Sequence, residues 1–164
     1  MEGLRIAALL AATITTGMVA GVYAIWANTI MPGLGRTDDR TFVGAFQAMD
    51  RAILNPVFIG LGFLGSLVLT LVAGLLHLGE DPLPWIAAAF VLYLLTVIIT
   101  ISANVPRNDA LRAAGDPDTI DVAAARAAFD EARWRRFNLA RTGLNTVAFG
   151  LLAWALFLAG KAAA

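Results

Sequence analysis

Cysteine is absent from this chain of 164 residues, and histidine occurs once, as His77. A disulfide framework, a thiolate nucleophile, an iron–sulfur cluster and a cysteine zinc site are therefore excluded, and so is a multi-histidine metal centre. Charge is scarce as well. Asp, Glu, Lys and Arg make up 15% of the residues, against about 25% in an ordinary soluble domain. Twelve basic residues balance twelve acidic ones, so no net positive field exists to attract nucleic acid. A surface this poor in charge cannot face water everywhere.

What the chain does contain is apolar residue: 59% of the total, with a mean hydropathy of +0.75. The apolar residues fall in four blocks, at about 4–30, 57–78, 85–103 and 142–160. Each is close to the ~20 residues that cross a ~30 Å hydrocarbon core. The first block is too long for the roughly 7–15-residue core of a secretory signal, despite a faint cleavage-like Val22-Tyr23-Ala24, and reads as a retained span. The expected fold is all-α, a single membrane domain over residues 1–164. It is a four-transmembrane-helix bundle with both ends of the chain on one side. A small helical cap, residues 36–55 and 104–141, is built from the first and third loops.

The joints follow local chemistry. Glu80-Asp81-Pro82-Leu83-Pro84 is a tight polar turn between the second and third spans. In the first loop, Asp38 or Asp39 can cap a helix whose stripe is Phe42, Phe46, Met49 and Ile53. Asn55-Pro56 ends it, since the residue before proline disfavours helical geometry. Gly115-Asp116-Pro117-Asp118 breaks the third loop, and Val122 to Gly160 then reads as uninterrupted helix. At ~1.5 Å per residue that helix is roughly twice the membrane thickness, so it continues into the cap. Gly17 and Gly21, and Gly60, Gly62 and Gly65, suit close packing between spans.

Ten of the twelve basic residues lie on the loop side, with only Arg5 and Lys161 on the other. The positive-inside rule then places the cap in the cytoplasm, in what reads as a bacterial cytoplasmic membrane.

Polar side chains within a membrane protein tend to mark function, and here they gather near the cap-side mouth. Asn28 ends the first span, Asn55 begins the second, Asn104 ends the third, and Asn108 lies just beyond. On the last helix Asp130, Trp134, Asn138, Arg141 and Asn145 are spaced four, four, three and four apart, which places them on one face. Arg141 stays ionised and suits a carbonyl or developing oxyanion. Asn amides can orient hydroxyls and carbonyls, while Trp134 and Phe137 can stack on a flat ligand. Asp50, Asp109 and Asp130 are candidate general bases. The structural reading of the same residues is that asparagines and arginines near helix ends satisfy loose carbonyls or reach for the headgroups. His77, at the opposite face, reads as an interfacial residue before it reads as a haem or metal ligand. Tyr23, Trp26, Trp85 and Trp154 suit interface belts or bundle packing. Thr13, Thr15, Thr16, Thr96, Thr100 and Ser102 can bond to helix carbonyls.

Several stretches resemble a known family, the anthrone oxygenase-like, DUF1772-type small membrane proteins. They are Gly17-Met18-Val19-Ala20-Gly21, Met31-Pro32-Gly33-Leu34 and the run from Phe46 to Pro56. Thr100-Ile101-Ser102-Ala103-Asn104-Val105-Pro106-Arg107-Asn108 and the run from Trp134 to Thr142 complete the set. The chain departs from the family pattern at Asp50, where Asn is common, at Arg107, where an apolar residue is common, and at Phe137, where Trp is common. The resemblance implies an oxygenase that turns anthrones into anthraquinones with no cofactor and with O₂ as co-substrate. In that scheme Arg141, with Asn104 or Asn138, would hold an enolate oxygen. Trp134 would stack on the ring, and Asp50, Asp109 or Asp130 would be the base.

Two readings stand at this point. One is a cofactor-independent oxygenase for a lipophilic aromatic, anthrone- or quinol-like substrate. The other is a non-enzymatic membrane module that binds a lipid, a quinone or a partner membrane protein. Expected partners are the lipid bilayer, a small aromatic or quinone-like ligand and a second copy in a homo-oligomer, with no nucleic acid. An apolar cavity reaching the lipid and ending in unsatisfied Asn and Arg groups favours the first reading. A polar cluster that satisfies itself favours the second.

Overall fold

A computed structural model describes residues 2–163. The described residues form six helices: α1 (Glu2–Leu34), α2 (Asp39–Ile53), α3 (Val57–Leu76), α4 (Leu83–Ala113), α5 (Val122–Phe129) and α6 (Glu131–Ala163). No strand occurs among the described residues, 87% of the chain being helical. Four apolar stretches are long enough to cross a membrane, namely α1, α3, α4 and the α5–α6 stretch. They close into a ring in which α1 and α4 each pack between α3 and α6.

Small residues set the inner faces. Ala12, Val19 and Tyr23 of α1 meet Ala148, Leu152 and Ala155 of α6 and Ile86, Ala89 and Tyr93 of α4 in one buried core. Most hydroxyls fold back onto their own helix, as expected. Thr13 donates to the Leu9 carbonyl at 2.7 Å, and Ser102 to that of Ile98 at 2.7 Å. This removes polar hydrogens from the hydrocarbon region, where each unsatisfied one is expensive.

The cap has its own core. Trp26, Met31, Phe42, Val43, Phe46, Leu111, Phe129 and Trp134 are all buried together. Phe46 is its hub, with ring centroids at 4.6 Å from Phe129, 5.4 Å from Trp26 and 5.8 Å from Trp134. Of the two expected caps of α2, Asp38 is the one used. It accepts from the Thr41 amide at 3.0 Å and the Thr41 hydroxyl at 2.6 Å, and those bonds hold its carboxyl below the usual range. Ion pairs lace the cap surface: Arg40 with Asp118, and Arg126 with Asp39 and Glu131.

Three boundaries differ from the sequence expectation. The first and third helices run past the span ends expected at about 30 and 103. α1 runs through Pro32 to Leu34, and α4 runs through Pro106 to Ala113. Each does so by widening into a π turn just before the proline, over Trp26–Ile30 and over Thr100–Asn104. A proline lacks the amide hydrogen and crowds the carbonyl four residues back, and a widened turn relieves both. The last helix is interrupted at Asp130, whose φ of 53° is left-handed. Its carboxylate accepts from the Arg133 amide at 3.2 Å, so one residue ends α5 and caps α6.

Candidate functional site

The cap, the ends of α1 and α4 and the start of α3 enclose a cavity of about 350 Å³. The three π segments supply part of its wall: Trp26 from α1, Phe58, Ile59 and Phe63 from Val57–Leu64 of α3, and Thr100 from α4. Widened turns re-aim side chains and are frequent at functional sites. The remaining apolar wall is Val22, Phe46, Ile53, Leu54 and Val105. Leu54 is 49% exposed and Phe58 and Ile59 are half-buried, so the cavity reaches the surface beside the exposed apolar Val57 and Leu61.

Two polar groups stand at different parts of this wall. The first is a chain of hydrogen bonds from the cap. Asp50, only 4% exposed, accepts from Asn108 Nδ2 at 2.9 Å and Arg112 Nε at 2.8 Å. Asn108 Oδ1 in turn accepts from Trp134 Nε1 at 2.7 Å, and Arg112 also pairs with the exposed Asp109. Asp50, Asn108, Asp109, Arg112 and Trp134 all line the cavity. This cluster is internally satisfied.

Arg141 is not matched in that way. It is 6% exposed and lines the cavity, yet no carboxylate among the described residues pairs with it. Its Nε and Nη2 donate to Asn138 Oδ1 at 3.1 and 2.9 Å, and its Nη1 reaches Thr100 Oγ1 at 3.4 Å. The guanidinium lies over the Tyr23 ring at 4.2 Å and near that of Trp134 at 5.4 Å. Aromatic faces offset part of the desolvation of a buried cation but supply no counter-charge.

The remaining sequence candidates take supporting places. Asn138 stands behind Arg141 rather than on the cavity wall, its Nδ2 donating to the Tyr23 carbonyl at 3.4 Å. Asn104 is fully buried behind Trp134, donating to that residue's carbonyl at 3.2 Å, while its Oδ1 has no partner among the described residues. Asn145, one turn deeper than Arg141, is fully buried with neither amide atom bonded among the described residues. Asn55 caps the start of α3, accepting from the Phe58 amide at 2.9 Å. Asn28 is exposed and Phe137 half-buried, and neither lines the cavity. Asp130 is exposed at the helix break, apart from the face that Trp134, Asn138, Arg141 and Asn145 share.

Three polar cavity residues escaped the sequence reading, Tyr23, Thr100 and Arg112, and so did the apolar wall with Trp26. Tyr23 reads as an interface aromatic and Thr100 as a hydroxyl bonded to its own helix. Arg112 is one of many cap arginines. His77 sits at the opposite end of the bundle, its Nδ1 2.8 Å from the Ala73 carbonyl. There it borders a separate polar cavity of about 330 Å³ with Arg5 and Glu80. No group of three or more His, Cys, Asp or Glu side chains able to hold a metal occurs among the described residues.

The model of the anthrone oxygenase family matches residues 54–151, more than half of the chain. Neither a curated protein nor a solved structure matches. The matched stretch contains Thr100, Asn108, Arg112, Trp134 and Arg141, and so most of the polar wall of the cavity. The chain belongs to the anthrone oxygenase family.

Proposed function

We propose that the protein oxidises a lipophilic aromatic ketone of the anthrone type, using O₂ and no cofactor, in the cavity beneath the cap. The observation that carries this reading is Arg141: a buried cation, without a carboxylate partner among the described residues, at a cavity that opens beside exposed apolar side chains. A positive charge held dry and uncompensated favours an anionic oxygen on whatever occupies the cavity.

The chemistry needs little else. Asp50 takes a proton from the methylene carbon opposite the ketone, and the resulting enolate places its negative oxygen at Arg141. The electron-rich carbon adds O₂ to give a peroxide, which takes up a proton. Loss of water then leaves a second carbonyl where the methylene stood. The substrate itself supplies the electrons, one O₂ is consumed, and one water is released. Trp134 and Trp26 offer flat faces to the ring system. We further infer that the cap faces the cytoplasm, so that the substrate reaches the cavity from the inner leaflet.

Oxygen uptake with anthrone in detergent tests this, with spontaneous autoxidation subtracted. The wild type is expected to exceed background, with Arg141→Ala and Asp50→Asn each reducing the rate by about tenfold or more. Ligand binding without turnover in the wild type would instead make this a binding module, the reading that the self-satisfied Asp50 cluster favours.

A further inference from the structure

The Thr100 hydroxyl gives its proton to the Thr96 carbonyl at 2.7 Å. Its oxygen is then free only to accept. Two donors converge on it, the Tyr23 hydroxyl at 3.4 Å and Arg141 Nη1 at 3.4 Å. Because the Thr100 proton is already committed, Tyr23 must be the donor in the first contact.

Both bonds are long. An O–H···O bond centres near ~2.7–2.8 Å and an N–H···O bond near ~2.9–3.0 Å, so each contact here is weak and readily exchanged. Neither donor atom has another acceptor among the described residues. Tyr23, Thr100 and Arg141 are all buried and all line the cavity. The Tyr23 ring is held beneath the Arg141 guanidinium, and the Asn138 side chain ties the Tyr23 backbone to the Arg141 side chain. A hydroxyl and a guanidinium are thereby fixed side by side, aimed at one point.

We propose that Tyr23 Oη and Arg141 Nη1 together form a two-donor site for a ligand's anionic oxygen, with Thr100 Oγ1 holding the place that oxygen would take. The proposal rests on the reading of the cavity above and extends it to a residue that touches the ligand and to a rule of selectivity. A ligand oxygen at normal hydrogen-bond length from both donors gains more when ionised, since charge-assisted bonds are about twice as strong as neutral ones. The site therefore prefers a phenolate or enolate to a neutral carbonyl on the same ring system.

The probe is 2-hydroxyanthraquinone, whose ionised form has its own visible band, with unsubstituted anthraquinone as the neutral control. Titrated into detergent-solubilised wild type, the bound phenol should ionise at lower pH than in empty micelles. Tyr23→Phe should weaken binding of the ionised probe by about tenfold and that of neutral anthraquinone by clearly less, about threefold. Arg141→Gln should remove the preference for the ionised form. Thr100→Val should leave that preference intact or strengthen it, because it releases both donors. If Tyr23→Phe binds the ionised probe like wild type while Arg141→Gln does not, the two-donor site is wrong and the cavity reading survives. If Thr100→Val loses the ionised probe, the threonine is itself a ligand contact and the placeholder role falls. Failure of wild type to bind either anthraquinone would sink both the cavity reading and this proposal.

Discussion

Asn138 is the residue on which the charge state of the site turns. Its single carbonyl oxygen accepts two bonds from Arg141, and its amide is spent on the Tyr23 backbone. It therefore aims the guanidinium without neutralising it. Replacement of the amide by a carboxylate keeps the shape and adds the missing counter-charge, at the loss of the donor to the Tyr23 carbonyl. Asn138→Asp is thus expected to unfold within about 1 kcal/mol of wild type, the ion pair gained by a buried arginine offsetting the bond lost to the Tyr23 carbonyl. Its affinity for an ionised hydroxyanthraquinone should fall by about tenfold or more, the site now being electrically satisfied. Thermal unfolding and the probe titration together check this; unchanged affinity for the anion would show that Arg141 is not its partner. Sequence spacing alone puts Asn138 and Arg141 on one helical face. It cannot reveal that one supports the other, because that depends on α1 crossing at Tyr23.

The turns around the cavity are shaped by prolines and by one glycine. Pro32 and Pro106 follow two of the π segments, and Pro56 precedes the third. In the third segment the Gly65 amide bonds back to the carbonyl of Gly60, five residues earlier. A Cβ on Gly65 would stand 2.9 Å from that Gly60 oxygen, a backbone atom that cannot swing away. A Cβ on Gly60 would meet nothing within 4 Å. Gly65→Ala should therefore destabilise the protein by about 1–3 kcal/mol, and Gly60→Ala should stay within about 0.5 kcal/mol of wild type. Equal thermal unfolding midpoints for the two variants would contradict this account. The four spans were legible because their length and apolarity are direct physical requirements of the bilayer, and the α2 cap because Asp38 and the Phe42–Phe46 stripe carry local signals. The π turns and the break at Asp130 were not. Apolarity bounds the spans at about 30 and 103 and carries no sign that each helix widens and continues through the proline beyond, and a left-handed aspartate leaves the helical periodicity on either side almost intact. Tyr23 was hidden for a related reason. An aromatic near the end of a span has an ordinary place at the interface, and only the packing of α1 against α4 and α6 turns it toward the cavity.

At the scale of the molecule, the two ends of the bundle differ in how their charges are engaged. The cap end carries nine acidic residues, and each has a partner. Asp39, Asp50, Asp109, Asp118 and Glu131 are in ion pairs. Asp38, Asp116, Asp121 and Asp130 accept backbone amides at helix starts and a turn. The exposed Arg36, Arg51, Arg133 and Arg136 have no ion pair among the described residues. Asp38, Asp116, Asp121 and Asp130 keep their charge while bonded to backbone amides, so they match these four arginines and the cap surface is close to neutral. The proposed cytoplasmic orientation therefore rests on the number of basic residues, ten at the cap end against two at the other, since the rule counts Lys and Arg and gives acidic residues little weight. The absence of native cysteine makes the topology directly measurable. Ala128→Cys in α5 and Ala162→Cys near the end of α6 place single thiols at exposed, uncharged positions at opposite ends of the molecule. In intact cells a membrane-impermeant maleimide should label the Ala162→Cys protein, and should label Ala128→Cys only after the membrane is opened. The reverse pattern would put the cap outside, and with it the mouth of the cavity in the outer leaflet, so that an aromatic substrate made in the cytoplasm would have to cross the bilayer before it could be oxidised.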